Sequence, residues 1–194
     1  MDYPELIAEL TDRTGESTVA TRAKMHLTMA ESAINKVLRV AENEASEILT
    51  TDTDGKATLP DDFQSVRMVV IAECEAQSLT FASVTLPHFL PRLTSHGYAI
   101  RGGQILTTAP NMDVTLYYYA KVPPLDETGS NWLIETDPEI YLYAMMRQVF
   151  MSKLDAEKSQ AAQAIFDSLI AARIRADALA RFASKPFRVA GNIA

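Results

Sequence analysis

The side chains in this chain that could do chemistry are few, and the densest group is acidic. Asp52, Asp54 and Asp61 follow Thr50 in the run Thr50-Thr51-Asp52-Thr53-Asp54-Gly55 and beyond. Oxygen ligands at alternate positions ahead of a glycine are how a helix–loop–helix calcium site begins. Here the first ligand position holds Thr50 rather than Asp, and the twelfth holds Asp61 rather than a bidentate Glu. Leu59 and Pro60 also oppose a flanking helix. The run reads instead as an Asp-Gly hairpin turn between Glu47–Thr51 and Lys56–Leu59.

The remaining reactive residues do not converge either. His26, His88 and His96 are scattered, without the spacing of metal ligands. Cys74 is the only cysteine, which excludes an internal disulfide, fits a reducing compartment, and has no nearby basic or histidine residue to activate it. There is no nucleophile-elbow, phosphate-loop or dinucleotide glycine pattern. The expectation is a protein that is not an enzyme and takes no metal or cofactor.

Recognition chemistry is what remains. The stretch Ala183 to Ala194 interleaves Phe187, Val189 and Ile193 with Lys185 and Arg188, and contains no acid. That is more apolar than a solvated disordered tail, so it reads as a peptide that docks in a partner's groove. The run Tyr117-Tyr118-Tyr119 lies in a segment of β-formers. Alternation along a strand sends Tyr117 and Tyr119 to one face and Tyr118 to the other.

Helices and strands must position these groups. Residues 2–10 read as a short helix ending near Gly15, and 18–39 as a second, capped by Ser17 or Thr18. Its stripe is Ala20, Ala23, Leu27, Ala30, Ile34, Val37 and Leu38. Strands are expected at 66–72, 78–82, 98–100, 104–106 and 114–120, with Gly102-Gly103 as a hairpin turn, and a short helix or turn at 86–93. A helix from Thr136 to Leu154 carries a capping-box pattern, Thr136 with Glu139. The last helix covers 155–183, with Ile165, Leu169, Ala172, Ala176 and Leu179 along one side. Lys185-Pro186 ends it.

The fold class expected is α+β, a mainly helical bundle of two N-terminal and two long C-terminal helices with a central antiparallel β-rich insertion. The domain reading is one unit over 1–183 (bundle 1–40 and 136–183, insertion 41–135) plus an extended tail over 184–194. With 194 residues, 47 % of them apolar, the chain can bury a core without disulfides. No apolar run is long enough to span a membrane, and the N-terminal residues lack a signal-peptide layout. The net charge of −7 is uneven. Residues 173–194 hold five basic side chains against one acid, a net of +4, which leaves −11 for the rest. An acidic body argues against broad nucleic-acid binding, and a basic terminus argues for a partner of its own.

Three stretches add a family likeness. They are Leu59-Pro60-Asp61-Asp62-Phe63, then Leu116 to Leu125 (Leu-Tyr-Tyr-Tyr-Ala-Lys-Val-Pro-Pro-Leu), then Asn131-Trp132-Leu133-Ile134 with Pro138 to Ala144. In this order and spacing, over about 18–182, the chain resembles the head-to-tail adaptor (connector) proteins of tailed bacteriophages. Phe166 departs from the pattern, since many relatives carry tryptophan there. The resemblance implies a virion protein of the neck, assembled in the host cytoplasm, in a ring of commonly twelve neighbouring copies. Its partners would be the portal protein and the next neck or tail protein, with DNA passing through the lumen without sequence recognition and no membrane involved. It also implies site residues: Arg181, Lys185, Pro186, Phe187, Arg188, Val189 and Ile193 for the portal, and Tyr117, Tyr119, Trp132, Tyr141 and Tyr143 for ring or tail contacts. The competing reading is a small helical regulatory or protein-binding module.

Overall fold

The computed structural model describes residues 1–16, 18–79, 96–125 and 129–183. Helices stand at both ends of the chain and an antiparallel β-rich region between them, so the protein is α+β. The chain divides into two compact units, one built from 1–41 and 122–194 and the other from 42–121. The expected helix at 86–93, most of the strand at 78–82, Ser17 and the tail at 184–194 lie outside the described residues.

The helical unit contains α1 (Tyr3–Thr14), α2 (Val19–Val37), α3 (Trp132–Thr136), α4 (Pro138–Ser152) and α5 (Ala156–Ala183). Its first helix is set by its own sequence. Asp2 accepts from the Glu5 amide and Glu5 accepts from the Asp2 amide, a reciprocal cap, and Gly15 closes the helix at φ 65°. In α2, Ala23, Leu27, Ala30 and Ile34 are buried, as is Leu38 just beyond it. Ala20 and Val37, expected on the same stripe, are exposed. Thr18 occupies the cap position but donates its hydroxyl to Glu16 instead of capping. The helix α4 packs against α1, α2, α3 and α5. It is apolar almost all round, which is the pattern of a central helix.

One expectation about this unit is overturned. Thr136 does not cap α4: it is the last residue of α3, and its hydroxyl donates to the Trp132 carbonyl. The cap position belongs to Asp137, whose side chain makes no capping bond. The real local signal is Asn131, whose Oδ1 accepts from the amides of Leu133 and Ile134 to cap α3. Its Nδ2 donates to the Pro123 carbonyl and to Tyr141 Oη at 2.8 and 2.9 Å. Along α5 the buried positions are Ser159, Ala162, Phe166 and Ile170; of the stripe read from sequence, Ile165, Ala172, Ala176 and Leu179 face outward and Leu169 is half-buried against the bundle core.

Among the described residues the β-rich unit holds two four-stranded sheets around one apolar cluster. One has the order β1 (Glu44–Thr50), β8 (Asp113–Ala120), β3 (Phe63–Ile71), β4 (Cys74–Glu75). The other runs β2 (Lys56–Thr58), β7 (Gln104–Thr107), β6 (Gly97–Arg101), β5 (Gln77–Ser78). All pairings are antiparallel except β5 with β6. The Gly102-Gly103 hairpin forms as expected, both residues at positive φ, as a two-residue turn requires. The Asp52–Gly55 turn also forms, but it is not a hairpin. It carries the chain from β1 in one sheet to β2 in the other. Gly55 is required there: at φ 75° a Cβ would sit 2.5 Å from the Thr107 carbonyl oxygen.

Candidate interaction surfaces

The acidic run is used up by its own turn. Asp52 Oδ1 accepts from the amides of Asp54 and Lys56, both at 2.8 Å, and Asp54 pairs with the Lys56 ammonium at 2.9 Å. Their oxygens point at their own loop instead of converging on a point. Among the described residues no group of three or more His, Cys, Asp or Glu side chains is placed to hold a metal ion. Cys74 is exposed in the β3–β4 turn region. His26 is buried on α2, and that burial, reinforced by Arg22, holds its imidazole below the usual range.

The tyrosine alternation is visible in β8. Val114, Leu116 and Tyr118 turn into the cluster, and Tyr117 and Tyr119 stand half-exposed on the outer face. There, Tyr117 lies between Ser46 of β1 and Met68 of β3, and Tyr119 between Glu44 and Ser65. Ile48, 67 % exposed, extends the same face. Tyr118 donates to Asp62 Oδ1 at 3.0 Å, and burial together with that carboxylate pushes its hydroxyl up to about 12.

The other candidates belong to the helical unit. Trp132 is half-buried under the Arg173 guanidinium, 5.9 Å from the ring centre, and Arg173 pairs with Asp137. Tyr143 is half-buried and accepts a 3.4 Å hydrogen bond from Arg13. Tyr141 is fully buried and its hydroxyl is taken by Asn131, so its role is to hold α3 against α4, not to present a surface. Of the C-terminal set only Arg181 is described. Its Nε lies 2.6 Å from Asp177 Oδ2, one helical turn back, and the other oxygen of Asp177 accepts from the Ala41 amide. Lys185, Pro186, Phe187, Arg188, Val189 and Ile193 lie outside the described residues.

Two further surfaces belong to this unit. An open groove of about 1110 Å³ runs between α2, α4 and α5, lined by Met29, Ala33, Val37, Met151, Leu154 and Phe166 among others. Lys36, Arg147, Asp155 and Asp167 stand along its walls. At one end Leu154 sits in the left-handed region, φ 60°, and is 92 % exposed. The signal for the groove was present as a second α2 stripe, Met29, Ala33, Val37, at four-residue steps. The other surface is the outward ridge of α5, Ile165 to Leu179.

A family model described as SU10 adaptor protein matches residues 1–190. No curated protein matches the chain.

Proposed function

We propose, from the premise that this chain belongs to the SU10 adaptor protein family of phage adaptors, that it is a structural subunit of the neck joining the capsid portal to the tail. In this reading about twelve copies form a ring through which DNA passes, and residues 184–194 dock on the portal. The family match over nearly the whole chain carries the reading. Three features support it. The basic, acid-free C-terminal stretch follows the 28-residue α5, which at ~1.5 Å per residue spans about 42 Å and can carry that stretch clear of the bundle. The acidic remainder of the chain suits a lumen along which DNA slides without adhering. No helix among the described residues is long and apolar enough to cross a membrane.

The test is assembly of particles with a chain truncated after Ala183. The truncated protein is expected to melt like the full-length chain and to be missing from portal-bearing capsids. Phe187→Ala is expected to weaken portal binding more than Lys185→Ala, since a seated aromatic anchor is commonly worth ~2 kcal/mol or more. Normal joining of capsids and tails by the truncated chain would refute the docking role.

A further inference from the structure

We infer that the groove between α2, α4 and α5 seats the Ile165–Leu179 ridge of a second copy of this chain. The inference rests on the ring reading above and names the surfaces that build it. The ridge residues Ile165, Leu169, Ala172, Ala176 and Leu179 follow alternating steps of four and three, the spacing of a helix seam made for another helix. Ile165 is 41 % and Leu179 64 % exposed and Ala172 and Ala176 face outward, while Leu169 is half-buried against the bundle core, so the chain itself leaves most of that seam uncovered.

Helical geometry puts ridge and groove on opposite flanks of one helix. At roughly 100° per residue, measured from buried Phe166, the ridge falls about 60–140° to one side. The groove residues Ala156, Gln160, Gln163 and Asp167 fall about 60–120° to the other. A single chain therefore cannot seat its own ridge, and two chains joined this way each keep one free half. Such a contact is heterologous, and repetition closes it into a ring or extends it into a filament. The dimensions agree: the ridge is roughly 21 Å long and the α5 wall of the groove, Ala156 to Asp167, roughly 17 Å.

The chemistry agrees as well. Met29 and Met151 line the groove with side chains that adapt to irregular shapes, and Ala172 and Ala176 let a helix backbone approach closely. No acid occurs between Asp167 and Asp177, so Arg175 is the charge at the ridge's outer margin. The α5 wall of the groove supplies Asp167, whereas Lys36 and Arg147 stand on the other walls and Asp155, just ahead of α5, is paired with Lys158. This fixes the sense of docking, with Arg175 along the neighbour's α5. Leu154 fits too: a strained, exposed leucine at the groove's end is costly in a lone chain and is covered when a ridge lies beside it.

Ala172→Glu spoils the ridge and Ala33→Glu spoils the groove, each on a side chain outside the buried core. Both full-length variants are expected to melt like wild type. In sedimentation at rising concentration, wild type is expected to self-associate, each variant to do so at least ten-fold more weakly, and an equimolar mixture to form two-chain species and nothing larger. Unchanged self-association of either variant, or a mixture that stays monomeric beside an associating wild type, would overturn the inference. Should wild type be monomeric alone, the readout is incorporation into necks. Exclusion of both variants supports the interface; entry of Ala172→Glu with loss of Ala33→Glu gives the groove to a different protein and overturns it, as does entry of both. Should wild type itself be absent from necks, the adaptor role falls. The interface is then decided by chemical cross-linking of the concentrated protein: linked multimers in wild type and neither variant sustain it, and their absence overturns it.

Discussion

The two units close their chains by different means. In the β-rich unit the first and last strands are partners, with Glu44 opposite Tyr119 and Thr50 opposite Asp113. Backbone ladders and one apolar cluster do the holding. In the helical unit the chain departs at Ala41 and returns at Val122, and side chains do the stitching. Asn35 accepts from the Val122 amide and Glu31 from the Leu125 amide, both at 2.8 Å, before Asn131 ties Pro123, Tyr141 and α3 together. Ladders are generic to any β-forming sequence, whereas these stitches depend on single polar residues. Damage to the first unit should therefore scale with lost volume, and damage to the second with lost hydrogen bonds.

The largest expected effect tests the first half of that contrast. Leu116 is fully buried in the β-rich cluster, so Leu116→Ala is expected to cost about 3 kcal/mol through lost burial and an unfilled cavity. Calorimetry should place the loss in the transition of the β-rich unit. A loss spread evenly over the whole protein would mean that the units do not melt separately.

Next comes Asn131→Ala, expected to cost about 2 kcal/mol. It removes the cap of α3 and leaves the Tyr141 hydroxyl buried without its donor. Its signature is loss of helical signal with the β-rich transition unmoved. A cost under about 0.5 kcal/mol would show that apolar packing, not stitching, closes the bundle.

The smallest effect has the opposite sign. Leu154→Gly relieves a left-handed leucine, worth about 1–2 kcal/mol, against about 0.5–1 kcal/mol of added chain entropy. Because Leu154 is almost wholly exposed, little burial is lost. A net gain of about 0.5 kcal/mol in chemical denaturation is expected. Destabilisation would mean that the leucine already packs within the isolated chain.

Sequence reading recovered what rests on local periodicity. The span of α2, the stop of α1 at Gly15, the Gly102-Gly103 turn and the alternation through Tyr117, Tyr118 and Tyr119 were all legible, because each is written in adjacent residues, although α1 runs on to Thr14, past the expected 2–10. It failed where the deciding contact is remote. Nothing in Asp52-Thr53-Asp54-Gly55 tells that β1 will pair with β8, some 65 residues on, instead of β2. In α5 the stripe was legible but not the side that the bundle covers, because that side includes Ser159 and runs on to half-buried Arg173 and Asp177. Asn131 stands in the family likeness, but its cap and its ties to Pro123 and Tyr141 are not legible, because the residues it binds are remote in sequence or in a helix too short to show a pattern. The family likeness supplied function where residue chemistry had none to offer.

The pairing of β1 with β8 also imposes an order on synthesis. A flexible excursion of about 80 residues costs roughly 4 kcal/mol to close. A β-rich unit that folds by itself brings Glu44 and Tyr119 together and removes most of that cost. On the ribosome its sequence is complete once Lys121 emerges, while α1 and α2 wait with their apolar faces uncovered until α4 follows. The insertion thus serves as an internal clamp that brings two distant stretches of the bundle within reach of each other. Because α5 is made last, the groove and the ridge arise only in a chain whose β-rich unit has already been translated.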